Sequence, residues 1–187
     1  MIKNILCCGV LYHEIEYLLR GSNTNIKAVN PGLHVDCKKM ASAITSSLHE
    51  IGGDETAVII GSQCHPDMCS MVSGHGRIIQ AKNCIEMLLG DKMAQLEAES
   101  RTFFITVGWL ENWQSIFVEG LKWDSIDARQ NFGYYERILL LDTGIMPVDE
   151  EKVLEFYDYT QIPIEIMPIS LDYFKGLLNQ ILESVSM

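Results

Sequence analysis

Short apolar runs alternate along the chain with stretches in which apolar residues return at helical spacing. The runs at Lys3–Leu11, Asn25–Val29, Thr56–Gly61, Arg77–Ala81, Thr102–Val107, Arg137–Asp142 and Pro163–Met167 are rich in β-branched residues and read as strands. The stretches near 13–20, 36–51, 84–98, 111–122, 149–159 and 171–184 read as helices. Such alternation predicts βα repeats and an α/β fold with a mostly parallel, Rossmann-like or flavodoxin-like sheet covered by helices on both faces. Asp36 and Asp172 are carboxylates suited to a helix N-terminus, and Gly52-Gly53 closes the second helix. The segments RTFFITVGWLE and RILLLDTGIMP echo each other, each running from arginine through an apolar strand to a polar residue and glycine. One domain over 1–187 is expected, with room for two lobes, 1–100 and 101–187.

Composition narrows the function only by exclusion. The chain of 187 residues is 48% hydrophobic and 21% charged, as a folded globular protein is. Its net charge of −11 and lack of basic runs argue against nucleic acid and anionic membrane surfaces as partners. The N-terminal MIKNILCCGVLYHE lacks the long apolar core and cleavage site of a signal peptide, and no stretch has the length of a membrane span. The expected location is the cytoplasm, where Cys7, Cys8, Cys37, Cys64, Cys69 and Cys84 stay thiols. All of them fall in the first half of the chain.

Where the sulfur falls against the predicted strands carries the chemistry. Ligands of open α/β sheets bind outside the carboxyl ends of the strands. Cys8 lies late in the first strand, His34 follows the second in the loop VNPGLH, Cys64 follows the third, and Cys84 follows the fourth and opens the helix CIEMLLG. If these strands are parallel neighbours, the four side chains converge on one edge. Three Cys and one His can close a tetrahedral zinc site. Three Cys alone can hold a four-iron cluster with one iron open. A helix N-terminus is also expected to lower the pKa of Cys84.

A plainer reading stands beside this one. Free cysteine packs as a small apolar residue, and strand alternation turns Cys7 away from Cys8 into the core. Cys37 and Cys69 have no assigned partner. The stretch GSQCHPDMC is C-x4-C, unlike the C-x2-C of zinc ribbons, and His65 stands too close to Cys64 to share an ion with it easily. Pro66 and Asp67 instead suit the start of a helix.

The segments CCGVLYHE, GLHVDCKKM, GSQC, KNCIEMLLG, FFITVGWLENW and YYERILLLDTG together resemble the domain-of-unknown-function family 1638 (DUF1638) across most of the chain. The resemblance carries over Cys8, His34, Cys64, Cys84 and Glu86, with Thr106 and Trp109 less firmly. His65 and Asn83 depart from its pattern, at the position after the third-strand cysteine and before the fourth-strand one. Members resemble accessory proteins of corrinoid and one-carbon metabolism in anaerobes. That implies a metal or metallocofactor and a corrinoid or methyltransferase partner.

Other motifs are absent: there is no G-x-G-x-x-G, no Walker-type phosphate loop, no G-x-S-x-G and no D-x-H-x-x-G. HEIEY lacks the second histidine of a zinc-protease helix. His75 in SGHGR reads as part of a flexible glycine turn or a phosphate contact. Trp109, Trp113 and Phe117 recur at i, i+4, i+8, a packing stripe from which Trp109 is the member placed to roof the site. Thr106 and Thr143 either orient a ligand or cap backbone. Glu86 is a general base, a support for the ligands, or a solvated first-turn carboxylate. The C-terminal amphipathic segments cover the sheet or form a homo-oligomer contact.

The expectation is therefore an iron–sulfur cluster, or else zinc, at Cys8, Cys64, Cys84 and His34. Glu86 and His34 would serve catalysis, and Trp109 and Thr106 would line the bound small molecule or metallocofactor. The rivals are a metal-free enzyme with Cys84 as nucleophile and His34 as base, and a non-catalytic binding module whose cysteines are core.

Overall fold

The computed structural model describes residues 2–52 and 56–183, so Gly53 and the last position of the predicted C-terminal helix lie outside it. The chain forms a mixed α/β, Rossmann-like fold with two all-parallel sheets. The first is ordered β2-β1-β3-β4, from β1 (Asn4–Cys8), β2 (Asn25–Val29), β3 (Thr56–Ile59) and β4 (Arg77–Ile78). The second is ordered β5-β6-β7, from β5 (Thr102–Thr106), β6 (Arg137–Asp142) and β7 (Ile164–Pro168).

Helices follow the strands. They are α1 (Tyr12–Leu18), α2 (Cys37–Ile51), α3 (Met68–Val72), α4 (Cys84–Leu89), α5 (Lys92–Glu99), α6 (Val107–Glu111), α7 (Ser125–Phe132), α8 (Glu150–Thr160) and α9 (Asp172–Glu183). Asp36 caps α2 by accepting from Lys39 N at 3.0 Å, and Gly52 ends it. Among the described residues no helix is long and apolar enough to cross a membrane.

Several boundaries differ from the sequence pattern, and β3 and β4 end at Ile59 and Ile78, short of the expected Gly61 and Ala81. The first strand ends at Cys8, because Gly9–Leu11 turn into a 3₁₀ segment that leads directly into α1. The predicted helix 84–98 breaks at Gly90, where φ is +54°, into α4 and α5. The predicted helix 111–122 starts earlier as α6 and continues as a π-helix over Gln114–Gly120. α7 was not visible in the pattern, since its sequence SIDARQNF buries only Ala128 and Phe132 and leaves Ile126 exposed. Its start is fixed instead by a capping box between Asp124 and Asp127.

The two sheets share packing. In β6, Leu139 and Leu141 join the core of the first sheet, while Ile138 and Leu140 join an aromatic core with Phe117, Phe132 and Phe156. Strand alternation thus feeds one strand into two cores, and a strand covered on both faces reads as the unbroken apolar run ILLL. Helix α9 returns to the first core through Phe174, Leu177, Leu178 and Ile181, and packs against α4.

The contact between α6 and the first sheet is as close as backbone permits. A Cβ at Gly108 would stand 2.3 Å from the carbonyl oxygen of Val10. Gly108→Ala is expected to cost about 2–3 kcal/mol, as overpacking against fixed backbone does. Gly176, inside α9, has nothing within 4 Å of its Cβ position. Gly176→Ala is expected to gain about 0.5–1 kcal/mol from helix propensity. Urea midpoints of the two variants check the opposite signs.

Candidate functional site

The four sequence-predicted ligands sit at or beyond the carboxyl ends of strands, and Glu86 and Trp109 lie in the first turn of the helices that follow β4 and β5. Cys8 is the last residue of β1, which lies between β2 and β3, and is 5% exposed. His34 follows β2 in the 3₁₀ turn Pro31–Val35, whose entry is shaped by Asn30 Oδ1 accepting from Gly32 N at 2.8 Å. Cys64 follows β3 and is half-buried, and Cys84 is the buried first residue of α4. The parallel order β2-β1-β3-β4 brings these ends side by side.

Backbone contact then draws Cys64 to Cys84. Ser62 N donates to Ala81 O and Gln63 N to Lys82 O, both at 2.9 Å. Gly61 permits this approach: its Cβ would lie 2.2 Å from Lys82 O and 2.4 Å from Asn83 Cα. The loop carrying Cys64 is thus stitched to the turn that delivers Cys84.

His34 has an assignable tautomer. Its Nδ1 lies 2.9 Å from the Pro31 carbonyl oxygen, which only accepts, so Nδ1 carries the proton. The Nε2 lone pair then faces Cys8 Sγ at 3.6 Å. Burial pushes the His34 pKa below its ordinary value, opposed by the bond to Pro31. A neutral imidazole with a free Nε2 is either a metal ligand or a proton acceptor.

The three sulfurs feel one another and are met by donors. Burial first, then the neighbouring Cys84, raises the Cys8 pKa well above its ordinary value, with smaller contributions from Cys64 and Cys7 and an opposing backbone hydrogen bond from Val10. Burial raises Cys64 too, against a backbone hydrogen bond from Gly61. Burial followed by Cys64 pushes Cys84 up to about 12, against hydrogen bonds from the Trp109 side chain and from the backbone of Cys84 and Ile85. The expected lowering of Cys84 at a helix start is therefore reversed: the α4 N-terminus and the indole oppose burial and lose. All six cysteines are free. Cys7 packs in the core with its pKa pushed up to about 12 by burial, and Cys37 and Cys69 are exposed.

The second sheet supplies the cover. Thr106 ends β5 and caps α6, its Oγ1 accepting from Trp109 N at 3.1 Å. Trp109 is half-buried, packs against both cores, and sets its ring 5.5 Å from the His34 ring, centroid to centroid. Thr106 thus touches the site through Trp109. Trp113 and Phe117, the other members of the stripe, are buried in the aromatic core.

Glu86 braces the turn before Cys84. Asn83 Oδ1 accepts from Glu86 N at 2.8 Å, the Glu86 carboxylate accepts from Lys82 N, and Lys82 Nζ stands 3.7 Å from it. His65 is likewise committed locally. Its Nε2 donates to Cys37 O at 3.2 Å and its Nδ1 accepts from Asp67 N at 3.0 Å.

Among the described residues no three His, Cys, Asp or Glu side chains stand in the spacing of ligands around a single metal ion. A surface cleft of about 430 Å³ between α4, α5 and α9 contains none of the predicted site residues.

One buried acid was not singled out in the sequence. Glu14 of α1 is 2% exposed and accepts from Thr143 Oγ1, beyond β6, at 2.9 Å. In HEIEY, Glu14 and Glu16 look alike, and only the helix phase set by the sheets turns Glu14 inward.

Over residues 28–178 the chain matches the family described as protein of unknown function (DUF1638), and it belongs to that family. The matched span includes His34, Cys64, Cys84, Glu86, Thr106 and Trp109 and begins after Cys8. No curated protein matches the chain.

Burial raises the Glu14 pKa above 4.5, against a hydrogen bond from its own backbone, the bond from Thr143 and the charge of His13. The folded state therefore keeps a proton that the unfolded chain gives up near pH 4.5, and stability falls as pH rises from there through the raised value. Glu14→Gln, which keeps an acceptor for Thr143, is expected to remove that loss. Urea midpoints measured from about pH 4 to about pH 7 check it, the variant's profile being flatter than the parent's.

Proposed function

For a member of this family we propose that Cys8, Cys64 and Cys84 hold an iron–sulfur cluster, with His34 beside it, in a protein of metallocofactor or one-carbon metabolism. One observation carries the reading. Three free thiols and an unprotonated imidazole nitrogen come from four adjacent parallel strand ends, with backbone or indole N–H groups directed at the sulfurs. Hydrogen bonds to sulfur are a common means of tuning such clusters.

The donor set fits the group. A cluster held by three cysteines supplies one iron with an open position for a substrate or exchangeable ligand. His34 Nε2 is either the ligand at that position or the group that holds a proton over it. Trp109 excludes water from one side, and Thr106 holds Trp109 in place. Glu86 serves the centre indirectly, through the turn that positions Cys84. A small molecule or metallocofactor, with a corrinoid or methyltransferase partner, is the ligand class in keeping with this reading.

The alternatives fit less well. A nucleophilic Cys84 with His34 as base needs a lowered thiol pKa and a Cys84–His34 contact. Burial instead pushes Cys84 up to about 12, and the thiol in contact with His34 is Cys8. A single zinc ion needs its donors drawn round one point. A cluster accepts them spread over separate irons. As a purely structural core, the thiols would not call for N–H donors aimed at them.

The test is purification or reconstitution without oxygen, with iron and sulfide analysis and an absorption spectrum, beside Cys64→Ala and Cys37→Ala. Cys64 is half-buried against the first core, so its removal costs less packing than the loss of the buried Cys8 or Cys84. The expected result is iron, sulfide and broad visible absorption in the parent and Cys37→Ala, lost in Cys64→Ala. A colourless protein that takes up no iron on reconstitution contradicts the reading.

A further inference from the structure

His49 and His75 take no part in the cysteine site. His49 lies in the last turn of α2, and His75 in the turn that enters β4, at the amino end of the first sheet. Their ring centroids stand 5.0 Å apart with the planes at 72°. Among the described residues neither ring has a hydrogen-bond or ion-pair partner; each touches the other.

The separation is ordinary for an edge-on ring contact, and it also matches two imidazoles that share one ion. A zinc-bound imidazole nitrogen lies about 2.1 Å from the ion and its ring centre about 1.1 Å behind it, so each centroid stands about 3.2 Å away. Two such rings, at angles between square-planar and tetrahedral, hold their centroids about 4.5–5.2 Å apart. The observed 5.0 Å falls within that interval. The surroundings favour a cation as well: His49 sits at the carbonyl end of α2, and the chain carries a net charge of −11.

We propose that His49 and His75 form a two-imidazole site for a divalent transition ion of borderline softness, zinc, nickel or copper. The ion joins the end of α2 to the turn before β4, the edge strand of the first sheet. Two protein donors leave the rest of its coordination shell to water or to a second molecule. The site lies at the opposite end of the first sheet from the cysteines, and it stands whether or not they hold a cluster.

The test is a zinc titration of the full chain, followed by the ring-proton NMR resonances of the histidines, with His49→Gln, His75→Gln and Cys64→Ala alongside. The expected result is that the His49 and His75 resonances shift together in the parent and in Cys64→Ala. In either histidine variant the remaining ring's affinity should fall on the order of a hundredfold, the usual gain from a second tethered ligand. His49 is exposed, so His49→Gln leaves the fold unburdened. Unmoved resonances overturn the proposal, as does an unchanged response of one ring when the other is replaced, which would mean that the rings only pack. Loss of the response in Cys64→Ala would assign the ion to the thiols and overturn it too.

Discussion

Backbone pressed against backbone gathers this site. At Gly61 the segment that follows β3 lies so close to residues 82 and 83 that any side chain would collide with the carbonyl oxygen of Lys82. At Gly108 the start of α6 meets Val10 in the same way. The first contact sets Cys64 beside Cys84, and the second sets Trp109 over His34 and Cys84. The approach of Cys64 to Cys84 depends on Gly61, and the place of the indole beside Cys84 depends on Gly108.

Within that frame, two electrostatic influences oppose each other. Backbone N–H groups at Val10, Gly61, Cys84 and Ile85, with the Trp109 indole, favour thiolate. Burial and the mutual proximity of the sulfurs favour thiol, and they prevail. A cation among the sulfurs would reverse the balance, because it offsets both the lost hydration and the repulsion. Under our proposal the donors are therefore arranged for the loaded state. Protons on the thiols are what metal binding would release.

Much of the fold was legible because strand burial is simple to read. Runs such as ILLL in β6 are apolar throughout because both faces are covered, and the strand ends then locate the cysteines and His34. The strand order that makes them neighbours was not legible, since pairing is a property of the whole sheet. Nor was α7, whose polar sequence is held by a capping box and two buried side chains. The direction of the Cys84 shift depended on burial depth, which no local pattern reports. Glu86 and Asn83 stood out by position, but the bracing of the turn before Cys84, in which Asn83 accepts from Glu86 N and Glu86 accepts from Lys82 N, needed coordinates. The inward turn of Glu14 was hidden for the same reason.

X-ray absorption at the iron edge of protein reconstituted without oxygen tests the central claim most directly, because it reads which atoms surround the metal. The account predicts a first shell dominated by sulfur, with iron neighbours behind it, and a loss of bound iron when Cys84 is replaced by serine. A first shell of nitrogen and oxygen alone, unchanged in Cys84→Ser, would contradict it.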